Sequence, residues 1–90
     1  MLNDKQKEMM DILQEECAEC IQAVSKIRRF GLKDKHGSKK TNQEELIQEL
    51  GDVVMMIILL SESGLFTEND IVDASARKHK KLQKWSTIFQ

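Results

Sequence analysis

Proline and tyrosine are absent from this chain, and glycine occurs four times. Little in the sequence therefore interrupts long helices. Val, Thr and aromatic residues are sparse, with aromatics at 4%, so strands are not favoured. No long apolar run exists. The longest uncharged one, Val53 to Leu60, has eight residues, far short of the roughly 20 needed to span a bilayer. The opening MLNDKQKEMM lacks the apolar core of a signal peptide, and a cytoplasmic location is the default expectation. Charge of one sign is not in excess: the net value is −1, which directs the chain neither to nucleic acid nor to an anionic membrane. There is no G-x-x-x-x-G-K-[ST] phosphate loop, because the glycines at 31, 37, 51 and 64 are scattered. Only two cysteines occur, Cys17 and Cys20. Three apart on one predicted helix, they are expected to be thiols rather than a structural disulfide.

What is present is a single-domain length, residues 1–90, rich in Leu, Ile, Met, Glu, Gln and Lys. The expected fold is all-α: a bundle of three main helices, completed by oligomerisation because so short a chain buries little surface alone. The first helix is predicted from about Asn3 to Phe30, with Gly31 as its stop. GLKDKHGSKK, residues 31–40, reads as a mobile loop. The second helix opens at TNQEE, where Asn42 is expected to cap with Glu45, and ends near Ser63 and Gly64. The third opens at Thr67, with Asp70 three residues on, and runs to about Trp85. Residues 86–90 are a short tail, and no internal repeat is visible.

At about 100° per residue, Met9, Ile12, Leu13, Cys20, Ala23, Val24, Ile27 and Phe30 share one side of the first helix. Glu16 falls inside that arc and Glu19 at its edge, with Glu15 and Lys26 just beyond. In the second helix Leu46, Val53, Met56, Ile57 and Leu60 share a face, with Glu49 among them and Asp52 at the edge. Beyond Asp52 the helix is apolar all round, which implies that a second subunit covers one side. The third helix shows the opposite anomaly: Lys78 lies within the stripe of Ile71, Ala74, Leu82 and Trp85, and Lys81 borders it. A carboxylate inside an apolar stripe is costly unless it is paired, protonated or bound to a cation. A single one is ordinarily a rim residue whose head reaches water. Two matched i, i+3 pairs on two helices are a different matter. If the stripes pack together, Glu16, Glu19, Glu49 and Asp52 converge, and a hard divalent cation such as Mg²⁺, or Mn²⁺ in its place, is the simplest compensation.

E-E-x-x-E (Glu15, Glu16, Glu19) followed by E-x-x-D (Glu49, Asp52) resembles the motif pair of the MazG-like all-α nucleoside triphosphate pyrophosphohydrolases. The intervening segment, Cys20 to Gln48, has 29 residues, near the long end for such proteins, and the extra length falls in the loop. KIRRFG at 26–31, Thr41 and Asn42, ELGDVV at 49–54 and KHKKLQKW at 78–85 are similar to the small, often phage-encoded members. The resemblance implies a four-helix-bundle-like architecture assembled as a homodimer or homotetramer. It implies Mg²⁺-dependent cleavage of a (d)NTP between the α and β phosphates, giving NMP and pyrophosphate. By motif position Glu16, Glu19, Glu49 and Asp52 would ligate metal, and Glu15 would stand behind them or orient the attacking water. Lys78 and Lys81 would meet phosphate, with Lys26 and Arg29 as further contacts. Such chemistry agrees with the residue types, since cations bridge carboxylates to an anionic triphosphate.

The remaining residues read more plainly. C-x-x-C wants two more ligands for zinc, and only His36 and His79 are at hand. Core packing is the expectation for both cysteines, a surface position for His79, and closure of the bundle for Trp85. Two other functions stay open. One is a non-catalytic oligomerisation module in which the acidic pairs form salt bridges to Lys78, Lys81 or Arg29. The other, weaker, is nucleic-acid binding through the basic residues of 77–84.

Overall fold

The computed structural model describes residues 1–35, 37 and 39–90. His36 lies outside them. The described residues form three helices and no strand: α1 (Asp4–Phe30), α2 (Asn42–Glu62) and α3 (Glu68–Trp85). The all-α expectation holds.

Each helix begins with a reciprocal capping box. At α1, the Asn3 side chain accepts from the Gln6 amide at 2.7 Å and Gln6 accepts from the Asn3 amide at 3.1 Å. At α3 the same exchange joins Thr67 and Asp70 at 3.1 and 2.9 Å, as the sequence predicts. At α2 the cap sits one residue earlier than expected. Thr41, not Asn42, accepts from the helix, and its partner is Glu44, not Glu45. Asn42 has another task. It is 1% exposed and its amide group donates to the Gly31 carbonyl at 2.9 Å, closing the base of the 31–41 loop. Backbone bonds from Asn42 to Asp34 and from Gln43 to Leu32 complete that closure. Gly31 supplies the positive φ of 91° at which α1 stops, and Gly64 (φ 89°) turns the chain out of α2.

α1 and α2 pack as an antiparallel pair. At one end the Gln6 side chain of α1 donates to the carbonyl and hydroxyl oxygens of Ser63, just past α2, at 3.2 and 3.3 Å. At the other, Lys26 of α1 ion-pairs with Glu45 of α2 at 3.4 Å. Among the described residues, the buried apolar ones are Ala23, Met56 and Leu60.

α3 does not complete the core. It contains no buried residue. Trp85, expected to close the bundle, is 79% exposed, with the Lys84 ammonium 5.3 Å from its ring centre. The chain is flat, 42 × 36 × 15 Å, with a radius of gyration of 15.9 Å; a compact chain of this length has about 12 Å. Its accessible surface is 7294 Å², whereas about 5,400 Å² is typical of a folded monomer of this mass. The apolar half of α2 is therefore buried on one side only. Val54, Met55 and Ile58 face outward, and Val54, Ile57 and Ile58 join Ile71 and Val72 of α3 around a groove of about 560 Å³. No helix is long and apolar enough to cross a membrane.

Candidate functional site

The antiparallel register sets which carboxylates meet. With Gln6 level with Ser63 and Lys26 with Glu45, Glu16 comes opposite Asp52 and Glu19 opposite Glu49. One oxygen from each of these four residues lies within 4.8 Å of the others. Glu16, Glu49 and Asp52 are half-buried and Glu19 is exposed. Glu16 Oε2 and Glu49 Oε2 are buried with no hydrogen-bond partner.

The crowding shows in the proton affinities. Burial pushes the Glu16 carboxyl above its usual range, and the charges of Glu19 and Asp52 add to it. Glu49 rises to about 7, chiefly through its close approach to the Glu19 carboxyl, then through burial and the neighbouring charges. Such an approach is a hydrogen bond only while one carboxyl keeps its proton. Once both ionise, the buried oxygens have no donor. Among the described residues, none of the four forms an ion pair with a lysine, arginine or histidine. The interhelical salt bridges of the non-catalytic alternative are therefore absent there. An all-oxygen set with two orphaned oxygens fits a hard divalent cation.

Beside this group a cleft of about 550 Å³ opens between α1, α2 and the loop. Glu19 and Glu49 line one part of it. Lys26, Lys39 and Lys40 line another, with Gln22 and Gln48 between. Lys26, one of the expected phosphate contacts, therefore lines the cleft. Lys39 and Lys40 carry no motif and no periodicity that marks them in the sequence. The one signal available is their place just before the Thr41 cap, since the α2 N-terminus lies opposite the α1 turn bearing Lys26. Glu15 is exposed, outside the four, although its charge reaches Glu16. Arg29 turns away, its guanidinium 5.0 Å from the Phe30 ring centre. Lys78 and Lys81 are exposed on α3 and do not line the cleft.

The cysteines separate. Cys17 is exposed rather than packed, contrary to expectation, because its position on α1 faces away from α2. Cys20 is half-buried beside the acidic group. Burial first, then the charges of Cys17, Glu49, Glu16 and Asp52, raise its thiol above the ordinary value, so it keeps its proton at neutral pH. His79 is exposed, as expected, and packs edge-on against Phe89 with centroids 4.7 Å apart.

Fold and site together define an all-helical protein in which two antiparallel helices share a four-carboxylate group beside a lysine-lined cleft. Its family is equally definite: the MazG nucleotide pyrophosphohydrolase domain matches residues 4–86, and the chain belongs to that family. The match takes in all three helices and both acidic pairs. No curated protein and no solved structure matches the chain. Members of the family are nucleoside triphosphate pyrophosphohydrolases, typically dependent on a divalent metal.

Proposed function

We propose that this chain hydrolyses (d)NTPs between the α and β phosphates, releasing NMP and pyrophosphate, with Mg²⁺ as cofactor and Mn²⁺ as a substitute. The observation that carries the proposal is the pair of buried, partnerless oxygens on Glu16 and Glu49 within the four-carboxylate group. Glu16, Glu19, Glu49 and Asp52 would hold the cation. A divalent ion there supplies Lewis acidity and positive charge against the triphosphate. The chain's own residues do the rest. Glu15, outside the four but close enough to influence Glu16, orients the attacking water and accepts its proton. Water oxygen bonds to the α phosphorus, the bond to the bridging oxygen breaks, and pyrophosphate leaves with that oxygen. Lys26, held over the cleft by Glu45, steadies phosphate charge, since such reactions depend on positioning and electrostatics.

Arg29, Lys78 and Lys81 point to an assembly. In this reading they join the substrate-binding surface when α3 is packed in a homodimer or homotetramer. The excess of about 1,900 Å² over a typical monomer surface supports such packing, because a stable interface takes about 800 Å² from each partner. The biological role would be control or housecleaning of the nucleotide pool.

The test is an assay of NMP and pyrophosphate from a panel of NTPs and dNTPs with Mg²⁺. At least one nucleotide is expected to turn over. Absence of turnover across the panel, or undiminished turnover by Glu49→Gln, would sink the proposal.

A further inference from the structure

The 31–41 loop returns to α2 carrying two lysines that the motif pair does not include. Lys39 and Lys40 line the same cleft as Lys26, Glu19 and Glu49. The residues that follow them are held by hydrogen bonds. The loop base is closed by the Asn42–Gly31, Asn42–Asp34 and Gln43–Leu32 hydrogen bonds. Beside that base, Thr41 is locked into its capping box with Glu44. The Lys40 ammonium also donates to the side chain of Gln48, the residue before Glu49. Charge in the cleft is close to balanced, because Lys26, Lys39 and Lys40 face Glu19, Glu45 and Glu49. Glu45 is already engaged by Lys26. A cation held by Glu19 and Glu49 would cancel most of the remaining negative charge of the cleft lining.

We propose that Lys39 and Lys40 bind the terminal phosphates of the substrate, so that the loop selects a triphosphate by its length. The proposal rests on the hydrolase reading above and deepens it. The α phosphate belongs beside the carboxylate group, where bond cleavage occurs. The β and γ phosphates, which leave as pyrophosphate, extend toward the lysine end. A nucleoside monophosphate has nothing to place there.

The experiment compares the parent protein with a Lys39→Ala/Lys40→Ala double variant and with Lys35→Ala, a loop lysine outside the cleft. Removing two charge-assisted hydrogen bonds should raise KM for the triphosphate about tenfold or more, with kcat changed by less than about threefold. Inhibition by pyrophosphate should weaken in parallel, while inhibition by NMP stays as in the parent. Lys35→Ala should behave as the parent. Unchanged KM in the double variant, or equal weakening of NMP and pyrophosphate, would overturn the proposal. Calorimetric titration with inorganic tripolyphosphate in excess Mg²⁺ gives a readout apart from turnover. Binding that disappears in the double variant supports the lysine subsite even if the parent hydrolyses no nucleotide, whereas binding retained in both refutes it.

Discussion

Two faces of α2 meet opposite problems. The face toward α1 carries Glu49 and Asp52 against Glu16 and Glu19, and one oxygen each of Glu16 and Glu49 is buried there without a donor. The face toward α3 carries Val54 and Ile58 beside a groove, apolar groups left in water. Each is incomplete, but the missing partner differs in kind. A buried oxygen without a donor calls for positive charge, and an exposed aliphatic groove calls for more aliphatic surface. In the proposed reading one helix separates cation chemistry from assembly, and substitutions on its two faces should separate them too.

The largest effect is expected on the acidic face. Glu49→Gln removes an oxygen charge from the group, and turnover should fall at least about a hundredfold, since even residues that merely support metal ligands are worth roughly 10–100-fold. The variant also relieves like-charge crowding. Its metal-free melting temperature should match or exceed that of the parent, while stabilisation by Mg²⁺ is lost. A variant that melts lower without metal yet keeps its Mg²⁺ stabilisation would contradict the cation reading of this face.

On the apolar face, Ile58→Glu should act on mass rather than on metal. Ile58 is exposed in the single chain and lines the groove. Sedimentation should show the proposed assembly falling to a smaller species, with Mg²⁺ stabilisation retained. An unchanged mass would show that the groove is not where copies meet.

The stability of the loop base comes next. Asn42→Ala removes a side chain that is 1% exposed together with its hydrogen bond to the Gly31 carbonyl, at a cost of about 1–3 kcal/mol for the bond and the packing lost. Thr41→Ala removes an exposed cap at a cost of about 1 kcal/mol. Chemical denaturation of both variants ranks the two, and Asn42→Ala should be the worse. This pair also marks where local pattern stops being decisive. Thr41 with Glu44 and Asn42 with Glu45 are equally good capping boxes along the chain. Only the tertiary demand of Gly31 for a buried donor decides between them, and that demand has no local signature. The α1 and α3 starts are legible because one box alone is on offer. The four carboxylates are legible because they break two helical stripes at matching positions, a signal that survives without knowing the loop. Lys39 and Lys40 are not, since lysines in a polar loop have no periodicity to break. Trp85 and Cys17 depart from expectation for a related reason: a stripe says which residues share a side, not whether anything in the same chain covers it.

The smallest expected effect is a pH dependence of the metal-free protein, and it probes the acidic face without substitution. Folding raises the Glu49 carboxyl from 4.5 to about 7. Between those values the folded chain holds a proton that the unfolded chain has released. Stability then falls as pH rises through that window, because the unfolded state binds fewer protons. The raised Glu16 carboxyl acts in the same direction. Metal-free melting temperatures should therefore decline by a few degrees from about pH 6 to about pH 8, with a shallower decline in Glu49→Gln. Cation binding requires the ionised carboxylates and releases their protons, so Mg²⁺ should stabilise more at about pH 8 than at about pH 6. Ile58→Glu leaves the four carboxylates in place and should keep both trends. A flat metal-free profile, with equal Mg²⁺ stabilisation at both pH values, would mean that the carboxylates do not crowd one another in solution, and the contrast between the two faces would fail at its polar side.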